Sequence, residues 1–254
     1  MSSLFKPTPK KAPHRCSRLA LTGLMLLITG LACLGWVAYQ YVGTNAVSEH
    51  AFRAEKSQLR HRWQQDQPRA PAKAAANAKA AAAKADPKPR PKPRPNDPRD
   101  TIVGSVIPSG AFALLRIPAF GDDYEVPILS GTDPGALARG VGHYSSTAMP
   151  GQVGNFAVSG HRVTHGQPFA RLLELNQGDK IVVETRTAIY SYTLDVAPRD
   201  LTVESSDGWV LNPVPGKNTA PTKALLTLTS CQDLFRSRDR SIGFGHLTRT
   251  TTKK

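Results

Sequence analysis

The sequence predicts an all-β domain, a barrel or a sandwich, carried behind one membrane-spanning helix and a linker with no core of its own. Three observations carry that expectation. From Thr101 onward, short strand-like runs alternate with Gly, Pro, Asp and Asn at close spacing, as the many short strands of a β-sandwich or barrel require. Near the N-terminus, Leu19 to Val42 offers 24 residues without a charge. Between the two lies a stretch of alanine, lysine and alternating proline that offers little to bury.

Taken in order, residues 1–18 form a basic tail with five Lys/Arg and no acid. Residues 19–42 are long enough to cross ~30 Å of hydrocarbon, and Trp36, Tyr39 and Tyr41 suit the membrane interface. A cleaved signal peptide normally has an apolar region of ~7–15 residues followed by small residues of the A-x-A kind. "TNA" at 44–46 matches that poorly, and Gly30 stands where a lipoprotein box around Cys33 needs a branched apolar residue. The span therefore reads as an uncleaved anchor. Arg15 and Arg18 abut it, whereas residues 43–52 carry no Lys or Arg; the positive-inside rule then puts the N-terminus in the cytoplasm and the bulk of the chain outside.

Residues 43–100 read as an extracytoplasmic linker. Alanine gives residues 70–85 high helix propensity but no larger apolar stripe to dock. In "DPKPRPKPRPNDP", proline at alternate positions forbids helix and favours polyproline II. Thirteen such residues, at ~3.1 Å each, would hold the following domain roughly 40 Å further from the membrane. A chain beginning near Asp100 is then expected to fold and to keep its activity. The formal net charge is +14, but residues 101–254 hold fifteen Lys/Arg against thirteen Asp/Glu. Basic charge is thus not concentrated on the folded part, and no helix-turn-helix, zinc-finger or RNA-recognition signature is present, so nucleic acid is not expected as a partner.

The domain at 101–254 carries strand-like runs at "FALLRIPAF", "EVPILSG", "GNFAVSG", "KIVVET", "IYSYTLDV", "ALLTLTSC" and "SIGFGHLT". Two stretches look helical: "TDPGALARG", opened by Thr132 or Asp133 with Pro134 just inside, and "QPFARLLEL", with Phe169, Leu172 and Leu173 on one face. About 150 residues is enough for one core.

Cys231 is the single cysteine of that domain, with Cys16 in the tail and Cys33 in the span, so it has no disulfide partner within the domain. A leftover thiol in an oxidising compartment is buried and inert, engaged between chains, or kept for its chemistry. Burial is ordinary for cysteine. Here the thiol stands at the end of a strand near Arg236, Arg238 and Arg240, and positive charge favours the thiolate. A thiolate nucleophile normally needs a histidine to handle protons. Of His143, His161, His165 and His246, His161 is best placed, because "GNFAVSGHR" ends a strand with a glycine that frees the backbone before it. His143 and His165 lie in Gly/Ser/Thr-rich loop text, and His246 sits within the last strand, able to face either way. The i, i+4 spacing of His161 and His165 would present two metal ligands on a helix, but Gly166 and the absence of nearby carboxylates argue against a metal.

"NFAVSGHR", followed seventy residues later by "TLTSC" and then by an arginine nine residues beyond the cysteine, resembles the sortase family, specifically the actinobacterial class E. "GHYSSTAMPGQVGNFAVSGHR" and "PFARLLELNQGDKIVVET" extend the likeness over roughly residues 105–250. The resemblance implies a sortase-like eight-stranded β-barrel with short helices, a membrane-anchored transpeptidase, no cofactor, Cys231 as nucleophile, His161 as proton donor and acceptor, and Arg240 steadying the oxyanion. It implies cleavage after Thr of a Leu-Pro-x-Thr-Gly or Leu-Ala-x-Thr-Gly sorting signal on secreted proteins, and transfer to an amine of a peptidoglycan precursor or another acceptor. It assigns no substrate-binding residue. The chain departs from the family pattern at Ser230, where Thr is frequent, and at Asp233, where Pro is frequent. A hydrolytic cysteine protease and a catalytically idle wall-binding module are the rival readings.

Overall fold

The computed structural model describes residues 18–65, 110–231 and 238–253, with Arg18, Leu19 and Cys231 described by backbone alone. The apolar segment forms helix α1 (Arg18–Ala38), which passes through a π-helical turn at Tyr39–Gly43 directly into helix α2 (Thr44–Gln65). Among its described residues, α1 buries no apolar side chain against the protein; Leu26 is 74% exposed and Leu34 68%. That is the pattern of a helix whose apolar surface is solvated by something other than water, and its length and hydropathy suffice to cross a membrane.

The remaining described residues form a barrel. Its strands are β1 (Ala111–Arg116), β2 (Glu125–Ser130), β3 (Val141–His143), β4 (Gly154–Ser159), β5 (Lys180–Glu184), β6 (Ala188–Val196), β7 (Thr202–Glu204), β8 (Ala224–Cys231) and β9 (Asp239–Thr252). Neighbours run β6-β5-β1-β2-β3-β4-β8-β9, and β9 pairs back onto β6, which closes eight strands into a ring. β7 adds only to the start of β9, outside the ring. The pairs β2–β3 and β4–β8 are parallel, and the other neighbouring pairs are antiparallel. Leu115, Ile128, Phe156, Val158, Ile181, Tyr192, Leu226 and Leu228 fill the interior, all with no measurable exposure. Closure leaves few free edges, which is how an antiparallel-rich sheet of this size avoids edge pairing with other chains.

Each of the seven strand-like runs contains a strand, although "FALLRIPAF" leaves it after Arg116 and makes a 3-10 turn at Pro118–Phe120, and Asp133 caps the short helix α3 (Pro134–Leu137), its carboxylate accepting from the Gly135 and Ala136 amides. β3 and β7 were not expected, since each has only three residues and too little pattern to read. "QPFARLLEL" is not an α-helix. It forms turns and one 3-10 turn at Leu172–Glu174, with Phe169 and Leu172 pulled into the barrel.

The linker assigned to residues 43–100 needs correction in its first part. Residues 44–65 are helical and docked. Phe52 enters the main core, and Leu59 packs with Ala111, Leu114, Leu129 and Ala136. The carboxylate of Glu55 accepts from the Ala111 amide (3.0 Å) and from Arg139 (2.5 Å), while Arg60 reaches Glu125 at 2.7 Å. Arg62 donates to the Ala111 carbonyl at 2.7 Å. The chain therefore meets the barrel before the alanine- and proline-rich tract begins. Residues 66–109 themselves lie outside the described residues.

Candidate active site

Three adjacent strands bring the candidate residues to one end of the barrel. β4 and β8 run parallel with Ser159 opposite Thr229, and the Gly160 amide continues the ladder to the Thr229 carbonyl at 3.2 Å. Two residues beyond the Ser159–Thr229 pair come His161 and Cys231. On the other side of β8, the antiparallel ladder sets Cys231 directly opposite Arg240. Backbone positions seventy and nine residues apart in the chain are thus brought to neighbouring strand ends by the pairing of β4, β8 and β9.

The hydroxyl of Ser230, 1% exposed, donates to the Gly160 carbonyl at 2.7 Å. This bond ties the residue before the cysteine to the residue before the histidine, so a hydroxyl at position 230 has a definite job. Gly160 is not needed for an unusual backbone angle. A Cβ there would lie 2.8 Å from the Phe169 ring, so glycine is required for close packing.

His161 is half-buried, and its ring stacks on that of His165 with centroids 4.7 Å apart. Burial, with a smaller contribution from repulsion by His165, pushes its pKa down to about 4. The loop that follows turns back on itself, the Phe169 amide donating to the His161 carbonyl at 2.9 Å and the Tyr124 hydroxyl to the Pro168 carbonyl.

The other histidines separate cleanly. His143, expected in a loop, is a core residue of β3 at 1% exposure, stacked on Phe156 and bonded through Nε2 to the Ala148 carbonyl and the Thr147 hydroxyl. His246 sits on the outer wall, where Nδ1 meets the Asp195 carboxylate at 2.9 Å. Arg238 is exposed at the bend before β9, and the Arg240 guanidinium donates to the Asp239 carbonyl at 3.0 Å. Asp233 and Arg236 lie outside the described residues. Among the described residues there is no group of three or more His, Cys, Asp or Glu able to hold a metal.

The sortase-domain family model matches residues 115–248, more than half of the 254-residue chain. This chain belongs to the sortase family. Sortase SrtE1 of Streptomyces coelicolor is 40% identical over 154 residues, which is 57% of this chain and 42% of that protein, so the shared stretch is less than half of the relative's length. Sortase SrtE2 of the same organism is 26% identical over 252 residues, covering 95% of this chain and 87% of that one. Among solved structures, S. coelicolor sortase E1 with a tripeptide in its active site matches 56% of this chain and 90% of its own at 37% identity and a TM-score of 0.50. SrtF of Corynebacterium diphtheriae matches 63% and 95% at 30% identity and a TM-score of 0.54. The likeness is to class E, and it covers the barrel of this sortase, ring of eight strands included.

Proposed function

We propose that this sortase is a membrane-anchored cysteine transpeptidase that cuts a Leu-Pro-x-Thr-Gly-like or Leu-Ala-x-Thr-Gly-like sorting signal after Thr and passes the acyl group to an amine. The observation that carries the reading is the meeting of three backbone positions, His161 after β4, Cys231 ending β8 and Arg240 opposite it on β9. Directly opposed residues of antiparallel strands share a face of the sheet, which suits a nucleophile and an oxyanion donor acting on one carbonyl.

In this mechanism His161 takes the Cys231 proton as sulfur attacks the threonine carbonyl carbon. The carbon–sulfur bond forms, the carbonyl oxygen gains negative charge, and Arg240 supplies a permanently charged donor to it. Collapse breaks the carbon–nitrogen bond, and His161 returns its proton to the leaving amine. The resulting thioester splits one difficult acyl transfer into two easier steps. A second amine then attacks the thioester carbon, gives its extra proton to His161 and releases the Cys231 sulfur. The acceptor is an amine of a peptidoglycan precursor or another wall amine, and the acyl donor is a secreted protein ending in the sorting signal.

The anchor places the site close to the bilayer. The uncharged stretch ends at Val42 and Asn45 already touches the barrel loop at Gly166; three residues of helix rise only about 4.5 Å. With the N-terminus cytoplasmic, the barrel sits on the outer membrane surface, where sorting signals emerge and membrane-borne precursors present their amines.

The functional test is product analysis with sorting-signal peptides, with and without an added amine such as a short glycine peptide. A transpeptidase yields the amine adduct at the expense of the hydrolysed acid. Hydrolysis unaffected by amine points to a protease, and no cleavage by folded protein points to an idle module.

The same assay reads the state of His161. The pair is competent while it holds one shared proton, and acid inactivates it by adding a second one to the imidazole. Because the folded pKa of His161 lies near 4, below the ordinary 6.5, that second proton is not gained until the pH has fallen well below 6.5. The acid limb of kcat/KM is therefore expected nearer pH 4 than pH 6.5. An acid limb centred at pH 6.5 would contradict the buried, neutral imidazole.

A further inference from the structure

We propose that α2 is a positioning element of the active site, with Asn45 and Phe52 fixing the shape of the loop that carries His161 and His165. The inference rests on the reading of His161 as the proton-handling group, and it assigns a catalytic consequence to a helix that the sequence places in a linker.

The loop has a shape that it cannot hold by itself. His165, Gly166 and Gln167 have φ of 56°, 75° and 41°, a run of left-handed backbone that side-chain-bearing residues rarely adopt. Its own hydrogen bonds close its base, the Phe169 amide on the His161 carbonyl at 2.9 Å and the Ala170 amide on the Gln167 carbonyl at 3.0 Å, and do less for the left-handed stretch. The Gln167 amide reaches the Thr164 carbonyl at 3.2 Å, and His165 Nδ1 lies 2.9 Å from the Thr164 hydroxyl. The barrel side holds the loop's far end, through the Tyr124 hydroxyl on the Pro168 carbonyl, and the left-handed stretch itself is held from the first turns of α2. The Gly166 amide donates to Asn45 Oδ1 at 2.8 Å, and Asn45 Nδ2 lies 3.5 Å from the Val163 carbonyl while bonding the Tyr41 carbonyl of its own helix at 2.7 Å. The His165 amide points to the Thr44 hydroxyl at 3.5 Å.

Phe52 completes the latch. Its ring fills the space that a Cβ at Gly166 would occupy, 2.7 Å from the ring's Cζ, with the Ser48 Cβ at 3.2 Å. Phe52 is 7% exposed and belongs to the main core cluster, so it joins the loop to the barrel interior. Through this loop the helix sets where the His165 ring lies, and that ring is the one stacked on His161. A loosened loop would let the two rings separate and His161 tilt away from the end of β8. Reacting groups lose rate steeply with small misplacement, whereas the barrel, held by its own ladder, would stay folded.

The test compares the full chain in detergent micelles with its Asn45→Ala, Asn45→Asp and Gly166→Ala variants. Asn45→Asp keeps the oxygen that accepts from Gly166 and loses the amide donor. Gly166→Ala disfavours the left-handed angle and pushes on Phe52, approaching the latch from the loop side. Cleavage of a Leu-Ala-x-Thr-Gly fluorogenic peptide gives kcat and KM separately. Hydrogen exchange of the segment 161–168 reports the loop whether or not that peptide is a substrate, and thermal melting reports the fold. For Asn45→Ala and Gly166→Ala, kcat is expected to fall about 10- to 100-fold with little change in KM, with faster exchange confined to that segment and near-parental melting. Asn45→Asp is expected to recover most of both readouts. Parental kcat together with parental exchange in Asn45→Ala would overturn the proposal, and so would a loss of kcat that Asn45→Asp fails to recover while exchange stays unchanged. A parent chain that cuts no sorting-signal peptide would overturn the transpeptidase reading instead, and the exchange measurement would then decide the latch alone.

Discussion

Replacement of Cys231 by Ala is expected to abolish peptide cleavage, and His161→Ala is expected nearly to do so, because the first removes the atom that forms the thioester and the second removes the group that returns a proton to the leaving amine. Arg240 is the more informative position. Arg240→Lys keeps the positive charge but lacks the planar fork of donors. If charge alone mattered, the loss would be mild. An oriented donor to the developing oxyanion, expected here from the Cys231–Arg240 pairing across β8 and β9, predicts a loss of roughly 10²–10³ in kcat for Arg240→Ala, with Arg240→Lys close behind. Thermal melting of each variant separates catalytic loss from unfolding. An equal loss in Arg238→Ala, whose side chain is exposed at the bend, would shift the oxyanion role to another arginine.

The second large effect concerns α2. Removing residues before 101 would strip Phe52 from the main core and Leu59 from the cluster around Leu114 and Leu129. Truncating a buried Phe costs about 3–5 kcal/mol and a buried Leu about 2–5 kcal/mol, and domains are stable by only about 5–15 kcal/mol in total. Glu55 would also leave the Ala111 amide and Arg139 without their shared carboxylate. A chain beginning near Asp100 is therefore expected to melt far lower than one beginning at Thr44, or to aggregate. This reverses the expectation drawn from the sequence, that the tract ahead of residue 101 is dispensable. Equal melting temperatures for the two chains would show that α2 rests on the barrel without stabilising it.

That reversal shows which features a single sequence displays and which it hides. The strands of the barrel were legible because "ALLTLTSC" and "GNFAVSG" combine β-branched or alternating residues with clear turn boundaries. β3 escaped notice because Val141, Gly142 and His143 offer three residues with a glycine in the middle, and what makes them a strand is pairing with β2 and β4. The same pairing buries His143, which local composition alone assigns to a loop. α2 did leave a trace. Ser48, Phe52, Glu55 and Leu59, its buried positions, follow a helical i, i+4, i+7, i+11 spacing. Only two of the four are large and apolar, and the surrounding charges resemble a solvated linker; the buried Glu55 makes sense only beside Arg139, 84 residues away in the chain.

The candidate site was legible in its members and not in its assembly. A lone cysteine at a strand end, a histidine after "SGH"-type strand text and a nearby arginine could be named from the sequence. Their convergence depends on the parallel β4–β8 pairing, which joins residues seventy apart and has no local sequence mark. The depressed pKa of His161 is likewise hidden, since it follows from burial and from the His165 ring that the loop folds beneath it.

The most direct measurement is intact-protein mass spectrometry of the full chain mixed with a sorting-signal peptide, quenched in acid and followed by peptide mapping. The expected result is a mass increase equal to the peptide fragment ending in Thr, mapped to Cys231, absent in Cys231→Ala, and discharged when an amine is added with formation of the amine adduct. A cleaved peptide with no adduct on Cys231 under conditions that preserve thioesters, or an adduct that persists in folded Cys231→Ala, would contradict the assignment of Cys231 as the nucleophile.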